Sequence, residues 1–223
     1  MRSRLVLATA MLVAALLGGC TYTRTGDPTV HFVDWNTQPP RGNAVTVCSG
    51  YGCQTTTKVV FKGHEVREVA KVMERTKKAD TPHEERRAVA YAVAWIEQNV
   101  GEKIGTSADK PGMQFNSSGD PTQQDCVDEA TNTTSYLMFL KSKGLIKHHE
   151  VRVPFAKGNV LKGAFQGNPV KYWPHWTAVL EETKTGQRYA VDSWIYKNGE
   201  NPAVVTVEEW YIEDIDNLPD STT

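Results

Sequence analysis

Cys126, His175 and Asp192 are the residues whose chemistry, order and spacing could form a reactive site, with 49 residues between the first pair and 17 between the second. A cysteine thiol becomes a useful nucleophile when its pKa falls from about 8.5, which a helix N-terminus or a neighbouring imidazolium promotes. It then needs a base, and the base needs an orienting group. Cys126 lies in Asp125-Cys126-Val127-Asp128-Glu129, where a polar, turn-rich stretch gives way to a helical pattern. His175 and Asp192 lie in the period-two segments Tyr172-Trp173-Pro174-His175-Trp176-Thr177 and Tyr189-Ala190-Val191-Asp192-Ser193-Trp194.

Strand parity decides whether the last two can meet. If Glu182 and Gln187 flank a four-residue turn, paired positions sum to 369. His175 then faces Trp194 and stands one diagonal from Asp192 on the same face, with Cβ atoms about 7–8 Å apart. A three-residue loop would put the two on opposite faces. Gly186 suits the former turn.

The helix-opening Asp125-Cys126-Val127-Asp128-Glu129, followed by His-Trp-Thr-Ala-Val on one strand and Tyr-Ala-Val-Asp-Ser-Trp on the next, resembles the Cys-His-Asp core of transglutaminase-like, papain-type thiol hydrolases. The resemblance covers about residues 120–207. It implies Cys126 as nucleophile, His175 as the base that later protonates the leaving amine, and Asp192 as the group holding the imidazole tautomer. The Cys126 amide would supply part of an oxyanion hole, with Gln123 or Gln124 as candidate second donors. Asp125, Asp128 and Glu129 depart from the pattern, since negative charge beside a thiol raises its pKa. In some bacterial thiol proteases of this type such carboxylates hold calcium; nothing else here supports a metal, and no cofactor is expected.

Of the other cysteines, Cys48 and Cys53 flank the turn Ser49-Gly50-Tyr51-Gly52 between the β-branched runs 44–48 and 55–61. A hairpin there would bring them to disulfide range; a pair of buried thiols is the alternative. Cys126 is then the unpaired thiol, unless it pairs with Cys48 or Cys53 instead.

The elements that must position these residues follow from hydrophobic period. Val66, Val69, Val72 and Met73 share a stripe over 64–78. Thr81, Pro82, Glu84 and Glu85 open a second helix carrying Ala88, Tyr91, Ala92, Trp95 and Ile96, expected to end near Gly101. A third starts at 125–126, with Ala130, Thr133, Thr134, Leu137, Met138 and Lys141 on a broad face, and stops at Gly144. Strands are expected over 150–155, 172–181, 187–195 and 203–207. The expected fold is therefore α+β, helices followed by an antiparallel sheet, in one domain spanning 44–223.

The N-terminus reads as an address. Arg2 and Arg4 precede an apolar run over Leu5–Leu17, too short to span a bilayer, which needs roughly 20 residues. Leu17-Gly18-Gly19-Cys20 resembles the bacterial lipobox, which implies cleavage of residues 1–19 and lipidation of Cys20. Residues 20–43 would be the lipidated cysteine and a tether, with room for a short packed segment. Thr21 in place of an aspartate favours the outer membrane, facing the periplasm. The mature chain is also similar to a set of proteobacterial lipoproteins, a likeness that carries no activity with it.

Of 223 residues, 39% are hydrophobic, and formal net charge is −1. Apolar content is too high and net charge too small for a disordered chain, and without a basic excess nucleic acid is not an expected partner. The expected partners are a lipid bilayer through Cys20 and a protein or cell-wall peptide substrate. His148-His149 splits across faces and reads as a solvated pair; Trp173, Trp176, Trp194 and Trp210 read as core aromatics. Two functions remain open: an envelope thiol hydrolase or acyltransferase acting on amide bonds, and a non-catalytic binding or assembly module of the same fold.

Overall fold

A computed structural model describes residues 26–158, 174–212 and Leu218. Cys20, the signal segment, Tyr172 and Trp173 lie outside the described residues. The chain is α+β, and its strands form two antiparallel sheets. A short helix α1 (Thr29–Asp34) precedes a hairpin of β1 (Ala44–Ser49) and β2 (Thr55–Val60). Three longer helices follow, α2 (Gly63–Thr76), α3 (Pro82–Ile104) and α4 (Cys126–Ser142). The second sheet contains β3 (His149–Lys157), β4 (His175–Glu182), β5 (Arg188–Asp192) and β6 (Ala203–Thr206), in that spatial order, and α5 (Val207–Ile212) comes last.

Local chemistry explains the helix ends. Thr81 Oγ1 accepts from the Glu84 amide and Pro82 occupies the first turn, so α3 starts where the sequence pattern places it. It runs past Gly101 to Ile104 and stops at Gly105, whose φ of 89° supplies the left-handed cap. Gly101 stays helical with its neighbours packed close: a Cβ there would lie 2.9 Å from the Asn198 side chain. Asp125 caps α4, its Oδ1 accepting from the amides of Val127 (3.1 Å) and Asp128 (2.9 Å).

Helix α4 is the spine. It packs against β1 on one side and against β3 and β4 on another, and 14 of its 17 residues are buried. Its apolar side joins Val45, Val47, Phe61, Val93, Ile96 and Leu180 in the main core. Its polar side is buried too, and much of it is paired: Thr131 and Thr134 donate to carbonyls one turn back, and the Asn132 amide both donates to and accepts from the Cys48 backbone. The broad face expected from the sequence is thus only part of what α4 buries; Met138 and Lys141 on that face are half-exposed.

In the sheet, β4 and β5 pair with Ala178 opposite Val191 and Val179 opposite Ala190, the register that sums to 369. The Glu182 amide donates to the Gln187 carbonyl across the four-residue turn, and Gly186 takes φ 74°. Pro154 sits where the β3–β4 register shifts, on the edge strand, which tolerates a missing donor. Within the expected tether, α1 places His31 and Phe32 in the interior with no exposed surface.

Candidate active site around Cys126

The register brings His175 and Asp192 together. His175 Nε2 lies 2.5 Å from Asp192 Oδ2, and the Trp210 indole N–H donates to the same oxygen at 2.6 Å. All three side chains are buried. Trp194 and Trp210 lie against the imidazole, with ring centroids 4.6 and 5.3 Å away, and hold its plane. With Nε2 turned to the carboxylate, Nδ1 is the ring's other polar atom, and it has no hydrogen-bond partner among the described residues.

Cys126 occupies the first position of α4 and is 2% exposed. Its thiol donates to the Pro174 carbonyl at 3.5 Å, and the Trp176 amide is hydrogen-bonded to the sulfur. The sulfur therefore rests on the backbone groups flanking His175. Burial, and then Asp125, push the thiol well above its ordinary range; Asp192 and Asp128 add to this, and the Trp176 amide opposes them. The thiol is neutral at rest. Trp35, Met113, Trp176, Trp194 and Ile195 pack around Cys126 and Val127. The indole nitrogens of Trp35 and Trp194 are buried without partners among the described residues. Buried polar groups are nearly always paired, so two open indole donors and an open imidazole nitrogen in one cluster are unusual.

The first turn of α4 is held from the other side by the β1–β2 turn. Cys48 and Cys53 form a disulfide with Cα atoms 4.5 Å apart, which leaves Cys126 as the free thiol among the described residues. Gly50, Tyr51, Gly52 and Cys53 all have positive φ, between 57° and 81°. For Tyr51 and Cys53 that conformation costs about 1–2 kcal/mol each. It turns successive amides toward α4: Tyr51 N–H donates to Asp128 Oδ2 (2.8 Å), Cys53 N–H to Asp128 Oδ1 (2.6 Å) and Gly52 N–H to Asp125 Oδ1 (3.1 Å). Burial and the charge of Asp125 nonetheless push the Asp128 carboxyl up to about 7. Calcium ligation by these carboxylates gains no support, because both accept backbone amides. Cys48, Cys53 and Asp128 do converge within 4.8 Å, but a disulfide has no thiolate to offer a metal.

The glutamines proposed as oxyanion donors are committed elsewhere, which removes them from that role. Gln123 Nε2 donates to the carbonyls of Ala108 and Thr122, and Gln124 Nε2 to Cys48 O, where they brace the loop before α4. Neither amide was identifiable as a loop brace from composition. The expected solvated pair His148-His149 is half corrected: His148 binds Asp80 near the surface, whereas His149 is fully buried between Glu85 and Arg86. A hollow of about 440 Å³ lined by Val72, Arg75, Arg87 and Tyr91 lies between α2 and α3 and includes none of the three candidate residues.

No helix among the described residues is long and apolar enough to cross a membrane. No known protein family matches the chain, and neither a curated protein nor a solved structure resembles it.

Proposed function

We propose that the protein is an envelope-anchored thiol hydrolase or acyltransferase acting on amide bonds in proteins or cell-wall peptides, with a transglutaminase-like core. Cys126 is the nucleophile, His175 the base and Asp192 its orienting group. The observation that carries this reading is the His175 Nε2–Asp192 Oδ2 contact of 2.5 Å, with Nδ1 left without a partner among the described residues and the Cys126 sulfur bonded to the backbone of Pro174 and Trp176 on either side of His175. His175 Nδ1 takes the thiol proton as sulfur attacks the amide carbon, then returns it to the leaving amine, and water or a second amine resolves the acyl-enzyme. The unpartnered Trp194 and Trp35 indoles supply hydrogen-bonding capacity for a substrate amide. Lipidation at Cys20 would hold the enzyme at the outer membrane, facing the periplasm.

Iodoacetamide labelling of Cys126, followed by peptide mass spectrometry, tests the assignment. His175→Ala should slow labelling at neutral pH at least tenfold while circular dichroism stays unchanged. Equal rates in the two folded proteins would overturn it. The near-complete burial of Cys126 favours a second reading, a non-catalytic envelope module of the same fold. Under that reading Cys126→Ala would complement a deletion as well as wild type does.

A further inference from the structure

The turn closed by Cys48 and Cys53 is bound to the helix that carries Cys126 more densely than a hairpin turn requires. Its three amides grip the carboxylates of Asp125 and Asp128, and Gly50 exchanges backbone hydrogen bonds with Gln123 and Gly119. The Tyr51 hydroxyl donates to the Gln114 carbonyl and accepts from its amide. A Cβ at Gly52 would lie 3.6 Å from the Trp35 ring, which packs in the Cys126 cluster. Four successive left-handed residues do not persist without a constraint, and the disulfide spans them.

We propose that the Cys48–Cys53 disulfide is a redox clasp on Cys126: oxidised, it pins Asp125 and Asp128 beside the thiol and keeps it latent; reduced, it releases them and exposes the sulfur. The inference deepens the reading of Cys126 as nucleophile and rests on it for its biological meaning. Asp128 is the positioning residue that links turn and helix.

The chemistry is a dithiol–disulfide exchange. A dithiol reductant attacks one sulfur of the bridge and expels the other as a thiolate, which takes up a proton. The reductant's second thiol then closes on the mixed disulfide, freeing the remaining sulfur as a protonated thiol. Two electrons and two protons pass to the protein, and the reductant leaves as its own disulfide. Without the bridge, Tyr51 and Cys53 relax to negative φ and their amides rotate off Asp128. The carboxylates turn to water, and the first-turn amides of α4, freed of their cap, act on the thiol. Among the described residues, the charged groups acting on Cys126 are Asp125 and Asp128 from its own helix end and Asp192 from the sheet, and His175 is bound to that Asp192.

The test measures Cys126 alkylation by iodoacetamide from pH 6 to 10 on the full chain, with peptide mapping to separate the three thiols. Oxidised protein is compared with protein reduced by dithiothreitol, with Cys48→Ser/Cys53→Ser, and with oxidised Asp128→Ala. Near-ultraviolet circular dichroism confirms that each sample is folded. Reduction should raise the rate at pH 7.5 at least tenfold and bring into the scanned range an alkylation midpoint that the oxidised protein does not reach there. The double serine variant should match the reduced protein without reductant, and Asp128→Ala should move the midpoint the same way with the disulfide intact. Rates and midpoints unchanged within twofold in folded, reduced protein would overturn the clasp and leave the disulfide a staple. Should the serine variant not fold, reduced wild type and Asp128→Ala decide. His175→Ala reports separately on the catalytic reading, since its effect is required in either redox state.

Discussion

Raising the pH from 5 to 9 will destabilise the folded protein, and Glu97→Gln will remove a defined part of that loss. Glu97, on α3, is 3% exposed. Its Oε2 accepts the Gly199 amide at 3.2 Å, the Ser193 hydroxyl lies beside it, and Oε1 has no partner among the described residues. Ser193 donates to Glu129 at 2.9 Å, so two buried carboxyls share one hydroxyl. Burial, aided by Asp109, pushes Glu97 up to about 8 against the Gly199 and Ser193 hydrogen bonds. Glu129 is raised by burial and by Glu97. Between pH 4.5 and 8 the folded chain therefore holds a proton on Glu97 that the unfolded chain has released. Stability contributed by that proton is fully present below 4.5 and lost as pH rises through 8, on the order of a few kcal/mol over the window. The amide introduced by Glu97→Gln would keep the acceptor for Gly199 without titrating. Urea denaturation followed by tryptophan fluorescence, in half-unit steps from pH 5 to 9, measures the effect. Wild type should fall steadily and the variant more slowly, the two meeting near pH 5. Parallel profiles, or wild-type stability that rises from pH 5 to 8, would refute the reasoning. Below pH 4.5 the sign reverses: Glu65, raised by burial but drawn down overall to about 2 by Lys103, the Lys62 amide and Asn99, loses its contribution as it protonates.

Asp192→Ala strips the acceptor from two buried donors, His175 Nε2 and Trp210 Nε1, and should lower stability by about 3–5 kcal/mol in chemical denaturation. Asp192→Asn should cost less than that, yet slow Cys126 alkylation because the imidazole tautomer is no longer fixed. Phe32→Ala should cost about 3–5 kcal/mol, since the ring is fully enclosed; a loss under about 1 kcal/mol would mean that α1 merely rests on the domain.

The order of the elements was legible because α2 shows a helical stripe, α3 and α4 carry their own start or stop signals, and the strands alternate. The parity argument placed His175 beside Asp192 because a side-chain period of two leaves few choices once the turn length is set. Helix α1 was not legible: six residues with Val30 and Val33 exposed have little helical signal, and packing of His31 and Phe32 stabilises the segment instead of propensity. Nor was the burial of Thr131 and Asn132, off the expected face, whose polarity argues for a solvated side until backbone carbonyls supply their partners. The amide grip on Asp125 and Asp128 depends on contacts more than 70 residues apart, and positive φ at Tyr51 and Cys53 has no composition signal.

The site's resting state follows from its hydrogen bonds. Sulfur donates to Pro174, which requires a thiol, and the surrounding carboxylates oppose a thiolate. A preformed thiolate–imidazolium pair of the kind that activates many cysteine hydrolases has no support in this arrangement. Under the proposed function, deprotonation would accompany substrate entry, with His175 Nδ1 accepting the proton only as the sulfur attacks, and the reaction would be slow wherever the thiol stays buried. Activity and the accessibility of Cys126 should consequently rise together across a mutant series at the β1–β2 turn. Variants that expose the sulfur without raising turnover would separate chemical reactivity from catalysis, and would point to His175 geometry as the limiting element.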